Sequence, residues 1–358
     1  MEAPGQAEAR RESRAIVAAW ACFGVGIAFG LIALAGPPRP IAGEDSVAMA
    51  AAGIAAIITA AAFVLSTGIH RRAETTPMPR WQTTVAHAST VAITLAFAAV
   101  AHLGVLTGGE ILALGLQGLE APAVGGALLT GVASAAGGWL AFQAGVELRT
   151  RDLATLLFAF LTIGTVFAMI TAADPRWWER HFSGLGTGWA FNATIIVAGL
   201  LVATIGAYIG RDLHRWLGDG ALRRIAVVVA LFAATGVALA GVGLFPVHRA
   251  QLLHDIAAFG ALGLFVLSAI VVTIVMPGPP RALLLTTAGT AVALVVALLL
   301  WWPFGVYGAT ALEALAVGIL FVWLTTLVRT LAALVPQESL PSRSPSPLRH
   351  RVDPRMAA

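Results

Sequence analysis

This chain of 358 residues has no lysine, a single cysteine and only 11% charged residues. Soluble domains carry about 25% charge, so the shortage excludes an ordinary water-facing surface and makes lipid the solvent for most of the chain. The lone Cys22 cannot form an internal disulfide, and no Cys/His spacing of the zinc type occurs. No stretch alternates polar and apolar residues over about ten positions, which excludes a transmembrane β-barrel. No internal repeat relates the two halves, which weakens an inverted-repeat transporter. No segment carries a specific catalytic motif. With lysine missing, all 22 basic residues are arginine, and Ala and Gly are abundant; this reads as the coding bias of a GC-rich bacterial genome and carries no chemistry.

What the chain does have is hydrophobicity: 58% of residues are apolar and the mean hydropathy is +0.86. A spanning helix needs about 20 mostly apolar residues. Candidate spans lie at about 15–35, 46–68, 84–106, 122–147, 152–172, 188–209, 224–244, 251–276, 282–301 and 308–334. The fold class expected is therefore all-α, a polytopic transmembrane helix bundle of about ten spans.

The arginines give the threading. Eighteen fall at the N-terminal segment, the even-numbered connections and the C-terminal end; four (Arg39, Arg176, Arg180 and Arg249) fall on the other side. The positive-inside rule then places both termini in the cytoplasm, in a multi-pass protein of the bacterial cell (plasma) membrane. A missed or invented span would break the alternation, and it holds to the last helix. The sequence pI near 10.4 would suggest a nucleic-acid partner in a soluble protein. Here topology accounts for the basic residues, so the partners expected are membrane lipids and not nucleic acid. The first span exceeds the 7–15 apolar residues of a signal peptide, which favours a retained helix over a cleaved leader. Residues 1–14 form a cytoplasmic segment, 15–335 the helical domain, and 336–358, rich in Pro, Ser and Arg, a tail expected to be disordered.

Ionisable groups within a membrane are costly and default to functional candidates. The midplane is nearly empty of them. They gather instead about one turn below the outer surface: His102 in span three, Asn192 in span six, His254 and Asp255 in span eight, Glu313 in span ten. The fifth connection, from Asp174 through Arg176, Trp177, Trp178, Glu179, Arg180, His181 and Ser183 to Gly186, mixes charge and aromatic rings as interfacial segments do. The ligand-binding candidates are therefore His102, Asn192, His254, Asp255, Glu313, Arg180 and Ser183. Three readings stay open. The outer groups hold a lipid headgroup or envelope component; or His102, His254, Asp255 and Glu313 bind a divalent metal that activates water; or they only pair with one another and with loop arginines. No cofactor is expected. Of His254 and Asp255, about 100° apart on a helix, one should face the interior and the other tie down a connection through Arg249 or Arg180.

Several of these segments are familiar in order. Asp174-Pro175-Arg176-Trp177-Trp178, Phe182-Ser183-Gly184-Leu185-Gly186, Trp189-Ala190-Phe191-Asn192-Ala193-Thr194 and Gly243-Leu244-Phe245-Pro246-Val247 followed by His254 resemble the DUF998 family of bacterial multi-span membrane proteins. The resemblance is best over about 150–335. It implies the ten-span layout but little about activity, since that family's activity is unknown. The family is distantly similar to the Frag1/DRAM/Sfk1 group, linked to lipid remodelling and membrane stress, an analogy of fold that does not carry activity. The chain lacks the several in-span histidines of ceramidase-related metallohydrolases, so the resemblance implies no hydrolase. Whether the chain is an enzyme at all stays open at this point, with a solute transporter as a further alternative.

Overall fold

A computed structural model describes residues 4–70 and 80–334; the expected tail and Arg71 and Arg72 lie outside the described residues. Ten helices are long and apolar enough to cross a membrane: α1 (Pro4–Ala33), α2 (Val47–His70), α3 (Arg80–Gly115), α4 (Ala123–Val146), α5 (Thr150–Ile170), α6 (Trp189–Leu217), α7 (Leu222–Leu244), α8 (Val247–Val275), α9 (Arg281–Trp301) and α10 (Ala309–Leu334). The number and order of spans match the hydropathy reading. Three helices overrun it, and α1 already begins at Pro4, ahead of the expected span. α3 continues past residue 106 because Thr107–Leu114 stays apolar enough to remain helical despite Gly108, Gly109 and Glu110. α6 continues past residue 209 through Arg211, Asp212 and His214, where side-chain pairing replaces lipid as the reason to stay ordered.

The chain divides into two compact units, residues 1–74 with 93–148, and residues 75–92 with 149–358; α3 contributes to both. In the first, α4 packs on α1 and α2 through small residues. A side chain at Gly30 would meet Ala127 Cα at 2.9 Å, and one at Gly26 would meet Gly131 Cα at 3.0 Å. The Gly26–Gly30 step thus brings two backbones together, as close helix pairing in lipid requires. A two-residue antiparallel pairing of β1 (Arg39–Pro40) with β2 (Glu120–Ala121) ties the α1–α2 and α3–α4 connections.

The second unit is built on α6, 61% of whose most apolar window is buried. It pairs antiparallel with α7 over its length: a Cβ on Gly199 would lie 2.4 Å from Gly236 O, one on Gly206 2.1 Å from Phe232 Cβ, and one on Gly243 2.5 Å from Asn192 O. Around this pair sit α5, α8 and α10. Trp323 of α10 is wholly buried against Phe265 of α8. Its indole N–H donates to Thr287 Oγ1 at 2.9 Å, and Thr287 reaches Thr273 Oγ1 at 3.1 Å. Neutral polar groups therefore line up across α10, α9 and α8, each threonine hydroxyl having one proton to give either to its own helix or to the other threonine.

Candidate functional site

Polar side chains gather at one end of the second unit, where the α5–α6 connection meets the starts of α8 and α10. The sequence shapes each part. Gly and Ser leave the connection without a long helix, so it folds as two short 3-10 turns, Trp177–Glu179 and Phe182–Thr187. Pro246 starts α8, and Ala250 (φ −148°, ψ 62°) interrupts it before the regular helix resumes. That interruption puts His254 in the first regular turn, with its ring directed at the connection.

Ser183 is the centre of the arrangement. Its hydroxyl lies 2.9 Å from His254 Nε2 and 3.5 Å from Glu313 Oε1. On the far side of the imidazole, Nδ1 lies 2.9 Å from the Phe245 carbonyl. A carbonyl only accepts, so Nδ1 carries a proton and the Nε2 side is turned to Ser183. The other oxygen of Glu313 accepts the Phe182 N–H at 2.5 Å. Ser183 and His254 are buried, 7% and 5% exposed. Thr310 donates to the Trp178 carbonyl at 2.8 Å, and the Asn192 amide donates to Gly186 O at 2.8 Å and Gly188 O at 3.2 Å. The connection is thus fastened along its length, while Arg176, Trp178, Glu179 and Arg180 remain exposed.

His181 belongs to the same neighbourhood. Partial burial pushes its imidazole below the ordinary histidine range; positive charge at His254 and Arg180 pushes the same way, and Asp255 opposes. Its Nδ1 is buried without a hydrogen-bond partner.

Of the residues expected from sequence, Ser183, His254 and Glu313 come together. Asn192 serves the same connection by holding its carbonyls. Asp255 is half-buried near His181 and makes no ion pair with Arg249 or Arg180. Arg180 is exposed. His102 belongs to the first unit, on α3. That helix runs to Gly115, so His102 lies about 20 Å from its end by the 1.5 Å rise. Among the described residues no three His, Cys, Asp or Glu side chains group as a metal ion needs, and both nitrogens of His254 are engaged within the protein. The metal reading of His102, His254, Asp255 and Glu313 has no ligand set.

Sequence reasoning missed the groups that act through the backbone, the Phe245 carbonyl and the Phe182 amide, because identity does not register them. It missed a second cluster at the unit's opposite end as well. There Asp212, 9% exposed, accepts from Thr150 Oγ1 and pairs with Arg211 at 3.6 Å, while His214 Nε2 meets Asp219 at 2.9 Å. Acidic residues interleaved with Arg211 and Arg215 were the available signal.

Residues 153–330 match the family model described as a protein of unknown function, DUF998. The matched stretch falls wholly within the second unit and contains Ser183, His254 and Glu313. No curated protein and no solved structure matches the chain.

Proposed function

We propose, taking as premise that residues 153–330 place this multi-pass membrane protein in the DUF998 family, that it recognises the anionic headgroup of a lipid or lipid-linked envelope component through its α5–α6 connection, at the outer face. One observation carries this reading: the connection is fastened from beneath by Glu313, His254, Asn192 and Thr310, yet Arg176, Trp178 and Arg180 stand exposed on it. A surface segment with no partner would not need four anchors. A binding surface benefits from them, because ordering done in advance is not charged against affinity. Tryptophan favours the headgroup level of a bilayer, and guanidinium groups recognise phosphate oxygens in a two-pronged geometry.

The test is lipid exchange on the purified full chain. Native mass spectrometry in mixed phosphatidylglycerol and phosphatidylcholine should show retained phosphatidylglycerol. The double variant Arg176→Gln, Arg180→Gln should lose that preference by roughly tenfold, as one charge-assisted contact of about 1.4 kcal/mol implies. Equal retention of both lipids by the parent chain, or an unchanged preference in the variant, refutes the reading.

A further inference from the structure

Several buried hydroxyls among the described residues are satisfied within their own helix. Thr130, Thr194, Ser268 and Thr273 each donate to the carbonyl four residues earlier in their own helix. Ser183 differs. It lies in a 3-10 turn, and the groups around its oxygen are an imidazole nitrogen and a carboxylate oxygen, both able to take its proton. The nearer is His254, at 2.9 Å, with its opposite nitrogen oriented by a fixed carbonyl. A hydroxyl, a base within hydrogen-bond reach and a third group orienting the base are the three parts of an activated nucleophile. Here a main-chain carbonyl stands where a carboxylate more often does, and it sets the tautomer in the same way.

We propose that Ser183 is the nucleophile, and His254 its general base, of an acyl transfer from a lipid ester at the membrane border. The substrate class rests on the lipid reading above, and on place in the chain: Ser183 lies in the connection between two candidate spans and His254 near the start of another, where helix ends approach lipid headgroups and the esters beneath them. Ser183 Oγ would form a bond to the ester carbonyl carbon as its proton passes to His254 Nε2. The bond to the leaving alcohol then breaks, and that alcohol takes the proton from Nε2. Water, deprotonated by the same nitrogen, attacks the acyl-serine, releases the fatty acid and returns the proton to Ser183. Glu313 is a positioning residue in this scheme. By holding the Phe182 amide it fixes the backbone next to the nucleophile.

The experiment treats the full-length protein in lipid nanodiscs with an alkyl fluorophosphonate and maps the adduct by peptide mass spectrometry. A single adduct on Ser183 is expected, and it should be absent in Ser183→Ala. His254→Gln should slow labelling by about a hundredfold or more, the range of general-base assistance. Glu313→Gln, which keeps an acceptor for the Phe182 amide, should label within about tenfold of the parent. No adduct on Ser183 after prolonged exposure, or an unaltered rate in His254→Gln, overturns the proposal. If Ser183→Ala does not fold, adduct mapping on the parent and the labelling rate of His254→Gln decide alone. A protein that labels at Ser183 but shows no phosphatidylglycerol preference keeps the nucleophile and loses the lipid as its substrate. One that retains phosphatidylglycerol and never labels keeps only the recognition surface.

Discussion

At the residue scale, the proton on Ser183 has two resting places. His254 Nε2 lies 2.9 Å from the hydroxyl and Glu313 Oε1 3.5 Å from it, and either can accept. His181 beside them has no such choice, because its Nδ1 is buried without a hydrogen-bond partner. Its imidazole is held below the ordinary histidine range, so the unfolded chain binds its proton first as pH falls. Stability should therefore be at its full value above about pH 6.5, the ordinary histidine value, and decline below it as pH approaches the lower folded value. Thermal melts in detergent from pH 7.5 downward should show this decline, and His181→Gln should flatten it. An acid slope that is the same in parent and variant would remove His181 from the account. Little of this was legible beforehand. The polar residue types, Ser183, His254 and Glu313 among them, could be read from the sequence. Which of them touch depends on where each points around its helix, and a spacing along one chain does not encode that.

At the scale of elements, the glycines of α6 and α7 decide how near two helices can come. The atoms facing Gly199 are the backbone carbonyl of Gly236 and the amide of Ala240; neither can rotate away. Gly199→Ala should destabilise the protein by about 1–3 kcal/mol, the cost of overpacking a close contact, read as a lowered melting temperature. Gly289→Ala, on an exposed face of α9 with nothing within 4 Å of the added methyl, should stay within about 0.5 kcal/mol of the parent. Equal behaviour of the two would mean that α6 and α7 are not in this close pairing. Span positions were legible because apolarity summed over twenty residues is a strong signal. The overruns of α3 and α6 were not, since a helix may leave the hydrocarbon and persist wherever side chains such as Asp212 and His214 find partners.

At the scale of the whole molecule, the arginine distribution predicts cytoplasmic termini, and the exposed residues of the second unit supply the probes. In a Cys22→Ala background, Glu179→Cys should react with an impermeant thiol reagent in intact cells, while Gly220→Cys should react only after lysis. Both positions are exposed, so accessibility differs by side alone; the opposite pattern would invert the topology. Ten spans could be read as one domain from hydropathy, because hydropathy counts crossings and says nothing of neighbours. The division into two units comes from which helices carry matching small faces, as Gly30 and Ala127 do in one unit and Gly199 and Gly236 in the other. The cluster at Ser183 adds an element of timing. It draws on the α5–α6 connection, the end of α7, the start of α8 and finally Glu313, which belongs to the last helix. During synthesis the hydroxyl and imidazole reach the membrane well before the carboxylate that anchors the Phe182 amide. A chain released early would carry the exposed arginines and tryptophan without that anchor, so the finished surface reports that translation has run to the tenth helix.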